Sequence, residues 1–159
     1  MNFNANGNLE AGIHNATMDV FHGTFVASFP HSSTRNKIYE GFVKYLTDLF
    51  STGSDYEPLI DGSYVTKKND PSDIDCLIIA DAAAVDALSD ADKQILSSLF
   101  SHPECKSKYS CDAYFLVAVP EGHPGYNHYR TMRKYWLGEF GYDRQEQPKG
   151  IVRIVEVSR

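Results

Sequence analysis

Leu59-Ile60-Asp61-Gly62-Ser63, followed after nine residues by Asp73-Ile74-Asp75-Cys76-Leu77-Ile78-Ile79, is the stretch on which the reading of this chain turns. The first part is a short apolar run ending in a Gly-Ser turn. The second is a β-forming run that carries two carboxylates on alternate positions. Residues i and i+2 of a strand share a face, so Asp73 and Asp75 are expected to project side by side, about 7 Å apart. Bare carboxylates at that spacing repel one another unless a cation sits between them. A hard, oxygen-seeking ion such as Mg²⁺ suits that position, and it commonly arrives with a substrate's phosphates.

Outward from this stretch, the chain alternates helix and strand. Residues 1–16, rich in Asn and Gly, read as an irregular lead-in, and residues 17–29 as a short helix closed by Pro30. Ser32-Ser33-Thr34 offers helix caps, and apolar residues from Ile38 to Phe50 keep the 3.6-residue period, so a helix is expected over Asn36–Phe50. Strands are expected at Pro58–Asp61, Ile74–Ala80 and Cys111–Val119, with a turn-rich loop over Lys67–Ser72 and a helix over Asp90–Phe100 capped by Ser89. Tyr126–Leu137 reads as a helix and Glu139–Val157 as a hairpin. This order implies an α/β (α+β) fold, a sheet flanked by helices. The apolar runs of the two central strands imply that both sheet faces are covered. No linker divides the chain, so residues 1–159 are read as a single domain, with a core at about 36–119 and the helix and hairpin at about 126–157.

Composition narrows the function. The chain has 159 residues, 42% hydrophobic and 23% charged, which suits a soluble globular domain able to bury its own core. Its formal charge of −6 makes it a poor electrostatic magnet for long nucleic acid, although the Tyr126–Arg159 segment is locally basic. Three cysteines at irregular spacing predict free thiols in a reducing, cytoplasmic setting. The polar N-terminus carries no apolar signal region, and no run is long enough to span a membrane, so no membrane partner is expected. His102, Cys105 and Cys111 do not match the spacing of a familiar zinc site and lack a fourth ligand.

The motif resembles that of the nucleotidyltransferase superfamily typified by DNA polymerase β. That pattern consists of Gly with Gly or Ser, a short interval, an acidic-x-acidic pair, and a third acidic residue on a neighbouring strand. Here it is matched by Gly62-Ser63, then Asp73-Ile74-Asp75, then Asp112 within Ser110-Cys111-Asp112-Ala113-Tyr114. Ser72-Asp73-Ile74-Asp75 is similar to the corresponding segment of the small bacterial minimal members. The opening Asp61-Gly62-Ser63-Tyr64-Val65-Thr66 and the ending Phe140–Ile151 resemble an uncharacterised bacterial and phage branch. The match centres on residues 59–79 and 110–118.

The resemblance implies a small mixed sheet of the polymerase β-like kind. It further implies Mg²⁺ (or Mn²⁺) held by Asp73, Asp75 and Asp112, which would also be the catalytic residues. Gly62, Ser63, Lys67 and Lys68 would bind the nucleotide. The reaction would move a nucleoside monophosphate from an NTP, ATP among them, to a protein, RNA or small-molecule acceptor with release of pyrophosphate. Stand-alone members often act as antitoxins that modify a partner toxin, so a toxin–antitoxin or phage-defence setting is implied too. The chain departs from the minimal members in carrying Tyr64-Val65-Thr66-Lys67-Lys68 where they have an Arg-rich loop. Arg35, Arg144 and Lys149 are candidates for phosphate or acceptor contacts, and the basic C-terminal segment for positioning the acceptor. A module that binds nucleotide or a partner protein without turnover remains the alternative.

Overall fold

The computed structural model describes residues 1–156. Five strands form one mixed sheet: β1 (Gly12–Thr17), β2 (Tyr56–Asp61), β3 (Ile74–Asp81), β4 (Cys111–Ala118) and β5 (Gly150–Glu156), in the order β1-β5-β2-β3-β4. β1 runs parallel to β5 and β3 parallel to β4, while β2 is antiparallel to both β5 and β3. The chain is therefore of the mixed α/β class.

Helices cover both faces. On one lie α1 (Met18–His22) with the π-helical turn Gly23–Ala27 that continues it, α2 (Arg35–Phe50), α4 (Asp90–Ser98) and α5 (Glu104–Tyr109), packed on Ile60, Ile74, Cys76, Ile78, Ala113 and Val152. A short α3 (Ala82–Asp86) follows β3 and is capped by Asp81. On the other face, α6 (Tyr126–Phe140) lays Tyr129, Met132, Trp136, Leu137 and Phe140 over Leu59, Leu77, Ile79, Leu116 and Ile151. Alternation along the strands assigns the faces: even-numbered positions of β3 point to α2, odd ones to α6.

The long helix forms where the 3.6-residue period places it. Its start is held by Ser32, whose hydroxyl accepts from the Arg35 amide at 3.1 Å, while the Thr34 hydroxyl donates to the Pro71 carbonyl at 2.7 Å. Ile38, Phe42, Tyr45, Leu46 and Leu49 form its buried stripe. Gly41 lets it pass directly against the Tyr109 carbonyl, where a Cβ would clash. Ser89 caps α4 as its sequence indicates, accepting from the Asp92 amide.

Two expectations are corrected. Residues 1–16 are not all irregular, because Gly12–Thr17 forms an edge strand. Its own propensity is poor; the parallel ladder to β5 supplies what the sequence lacks. Nor is Glu139–Val157 a hairpin. α6 continues to Phe140, only an isolated bridge joins Tyr142 to Pro148, and β5 inserts between β1 and β2. Val157 and Arg159 lie outside the described residues. Among the described residues, no helix is long and apolar enough to cross a membrane.

Candidate active site

Register places the carboxylates. Asp61 on β2 pairs with Asp75 on β3, and Asp75 with Asp112 on β4. Paired residues of adjacent strands share a face at about 4.8 Å between strands. Asp61, Asp75 and Asp112 therefore form one row across three strands, on the α6 face. Asp73 stands just before β3, with Ser72 Oγ donating to its Oδ1 at 3.0 Å. The structure thus sets Asp75 and Asp112 in one row, adds Asp61 to them, and leaves Asp73 at the start of β3 with its charge acting on Asp75.

Gly62 turns the chain at the end of β2 with φ +79°, a left-handed conformation that favours glycine. It also lies directly against the Asp75 side chain: a Cβ at Gly62 would overlap that carboxylate. The close approach expected for a phosphate is thus made here to Asp75. Ser63 begins a single 3₁₀ turn (Ser63–Val65); its carbonyl accepts from Thr66, and its hydroxyl makes no hydrogen bond among the described residues.

Two lysines that bear on the row carry no motif signal or a misleading one. Lys106, on α5, places Nζ 2.5 Å from Asp73 Oδ2. Lys149, expected at an acceptor surface, is instead buried, with Nζ 2.9 Å from Asp61 Oδ1 and 3.0 Å from Oδ2. His102 adds Nδ1 at 2.9 Å from Asp112 Oδ1. That oxygen is buried and has no well-aligned hydrogen-bond donor among the described residues. Four carboxylates thus meet two ammonium groups and one imidazole.

The other predicted contacts fall elsewhere. Lys67 donates its amide to the Gly7 carbonyl and holds its ammonium 5.9 Å from the centre of the Phe3 ring. Lys68 is exposed, and neither lysine touches the carboxylates. Arg35 is buried: Nη1 donates to the carbonyls of Phe25 and Tyr64, and Nη2 to those of Thr66 and Lys68, so it shapes the loop after Ser63 and is not free for phosphate. Arg144 lies exposed in the turn before β5. Cys105 and Cys111 are buried thiols, the latter donating to the Tyr109 carbonyl, and His102 is directed to Asp112, so no zinc triad forms.

A family model matches nearly the whole chain. The chain belongs to DUF6932, a family of unknown function. The family model spans residues 1–155, from before β1 to the penultimate residue of β5, so in this DUF6932 member the whole carboxylate row lies inside the match. No curated protein and no solved structure matches the chain.

Electrostatics follow from burial. Asp61 is pushed up to about 6 by burial, against the opposing pull of Lys149. Asp75 is raised as well, first by burial and then by the charges of Asp73 and Asp112. Tyr114, two residues beyond Asp112 on the same face, is raised by burial and then by Asp112 and Asp75. A carboxyl whose folded value exceeds its unfolded value binds protons more tightly when folded, so its stabilisation is full at low pH and is lost as pH rises through the folded value. In EDTA, the melting temperature should therefore rise by a few degrees as pH falls from 7 to 5. Millimolar Mn²⁺ should flatten or reverse that slope. A metal-free melting temperature that falls steadily over the same interval would contradict this electrostatic picture.

Whether the row suits a divalent ion is a question of its donors. They are carboxylate oxygens, the ligands Mg²⁺ and Mn²⁺ prefer, and two of them, Asp61 Oδ1 beside Lys149 and Asp112 Oδ1 beside His102, are buried without a well-aligned hydrogen bond. Among the described residues, no group of three or more His, Cys, Asp or Glu side chains is arranged to hold a metal ion. The donor chemistry alone suits a divalent ion, and Lys106 already pairs with one of the donors, Asp73.

Proposed function

We propose that this chain is a Mg²⁺- or Mn²⁺-dependent nucleotidyltransferase, moving a nucleoside monophosphate from an NTP to an acceptor hydroxyl. The observation that carries the reading is the in-register row Asp61–Asp75–Asp112, with Gly62 seated against Asp75. Carboxylates clustered in this way repel one another unless a cation joins them. A divalent ion would supply that charge.

In this reading Asp75, Asp112 and Asp73 hold the ion, which when bound neutralises triphosphate charge in the transition state. The Ser63 hydroxyl, which makes no hydrogen bond among the described residues, donates to a phosphate oxygen. Asp112 takes the proton of the attacking hydroxyl as its oxygen bonds to the α-phosphorus and the bond to pyrophosphate breaks. Asp61 with Lys149 is a buried strut that fixes the end of β2, and so Gly62, beneath Asp75.

The acceptor side has a candidate on α6, which covers the same sheet face. A depression of about 290 Å³ is lined by Tyr126, Tyr129, Arg130, Arg133 and Lys134. Those three cations form no ion pair among the described residues, in a chain of net charge −6. Uncompensated cations beside aromatic rings suit a phosphate-bearing acceptor such as RNA.

Incubation of the pure protein with each α-³²P-labelled NTP, Mg²⁺ or Mn²⁺ and a host lysate tests the reading. The expected result is label on one protein or RNA species, with pyrophosphate released. Arg130→Ala with Arg133→Ala should cut acceptor labelling about ten-fold while leaving Mn²⁺–NTP affinity within about two-fold, given contacts of ~0.5–1.5 kcal/mol each. Loss of nucleotide affinity in that variant would move the helix to the donor side. The second reading is a module that binds nucleotide or a partner protein without turnover. It is favoured by Lys106 already pairing with Asp73, and it predicts nucleotide affinity with no pyrophosphate.

A further inference from the structure

The cation at the carboxylate row is one of the protein's own side chains. Lys106 reaches Asp73 Oδ2, and its ammonium is in turn held protonated by that bond and by the charges of Asp73, Asp112 and Asp75. It is therefore bonded to one, and within the field of the other two, of the carboxylates that the proposed function assigns to a divalent ion. The two are alternative solutions to one problem, the repulsion of clustered carboxylates.

The way Lys106 is held makes exchange cheap. Its backbone is fixed, because the flanking Cys105 and Tyr109 are buried and the Tyr109 hydroxyl donates to Asp48 Oδ2 at 2.6 Å. Its side chain is half exposed, while that of Asp73 is largely buried. Among the described residues, the ammonium has no partner other than Asp73 within bonding distance. Departure from the carboxylates thus requires a change of lysine rotamer alone, and the ammonium returns to water without an unpaired buried charge.

We propose that Lys106 is the resident counter-ion of the metal-free site, that a divalent cation enters by exchange with it, and that the freed ammonium then faces the phosphates the ion carries. This rests on the metal-dependent reading above. It makes Lys106 a competitor of the bare ion and a partner of the ion–nucleotide complex, so one substitution should move the two affinities in opposite directions.

The test is calorimetric titration of wild type, Lys106→Met, Lys106→Arg and Asp75→Asn with Mn²⁺ alone, then with Mn²⁺ and a non-hydrolysable ATP analogue. Lys106→Met should bind Mn²⁺ about five-fold more tightly than wild type, as expected for loss of a competing, partly exposed ion pair. It should bind the Mn²⁺–analogue complex about five-fold more weakly, with Lys106→Arg near wild type in both. Asp75-dependent Mn²⁺ binding that Lys106→Met fails to tighten would overturn the exchange and leave the metal site standing. Tighter Mn²⁺ with unchanged analogue affinity would overturn the phosphate role. Equal Mn²⁺ binding by wild type and Asp75→Asn would remove the metal site itself, and this proposal with it.

Discussion

Asp75→Asn is expected to lower nucleotidyl transfer by about 10³-fold or more, roughly 4 kcal/mol of transition-state stabilisation, while leaving the fold intact. Asp75 is the middle member of the row, flanked by Asp61 on β2 and Asp112 on β4, with Gly62 against its carboxylate. Asparagine keeps the shape and so keeps the turn. It removes the charge that a divalent ion would need from two neighbours at once. The same substitution should act on stability with the opposite sign. Burial and the charges of Asp73 and Asp112 outweigh the pull of Lys149 and Lys106 on Asp75, so its ionised form is costly in the metal-free protein. In EDTA at pH 7, the variant should therefore melt higher than wild type. In Mn²⁺ the order should invert, because only the wild type gains from the ion. A site that trades stability for function is expected to show this pairing. A variant that melts lower than wild type in EDTA and still transfers nucleotide would refute both the role of Asp75 and the account of its surroundings.

The parts of the fold visible in the sequence are those that strong local patterns dictate. The α2 stripe from Ile38 to Leu49, the Ser89 cap, and the apolar runs of β3 and β4 each state their structure within a short window. The i, i+2 spacing of Asp73 and Asp75 together with Gly62 located the candidate site, since a glycine turn and paired carboxylates are legible without tertiary knowledge. What stayed hidden depends on partners distant in the chain. β1 is a strand because β5, more than 130 residues on, lies beside it. Asp61 joins the row through register alone, although its place two residues after Leu59 on one strand face was a usable signal. Lys106 lies on a six-residue helix that follows a turn and bears no periodic pattern, so nothing local announces that it will reach Asp73. Lys149 and Arg35 were misread for one reason. A cation in a sequence reads as exposed, and only the fold shows which ones are enclosed by a carboxylate or by carbonyls.

Arg35→Ala should be the most damaging single substitution for the fold, costing about 3–5 kcal/mol and lowering the melting temperature by roughly 10 °C or more. The guanidinium is a buried cation with no carboxylate in bonding distance; four carbonyls hold it, and its carbon lies 3.8 Å from the centre of the Phe29 ring. Burial pulls its proton affinity down, opposed by Tyr64 and Asp70, and the four acceptors keep it charged. Those carbonyls belong to the α1 side of the core and to the loop after Ser63, so one side chain fastens three segments: the π-helical turn, the start of α2 and the approach to β3. Truncation to alanine leaves the carbonyls without donors and a cavity among Phe25, Phe29 and Tyr64. Lysine cannot substitute, because a single ammonium does not span two pairs of acceptors as a planar fork does. Arg35→Lys is therefore expected to recover less than half of the loss, whereas Arg144→Ala, in an exposed turn, should stay within about 0.5 kcal/mol of wild type. Urea titrations of the three variants decide the matter. Should Arg35→Ala prove as stable as Arg144→Ala, the guanidinium is not the clamp described here, and its charge would again be available to a phosphate.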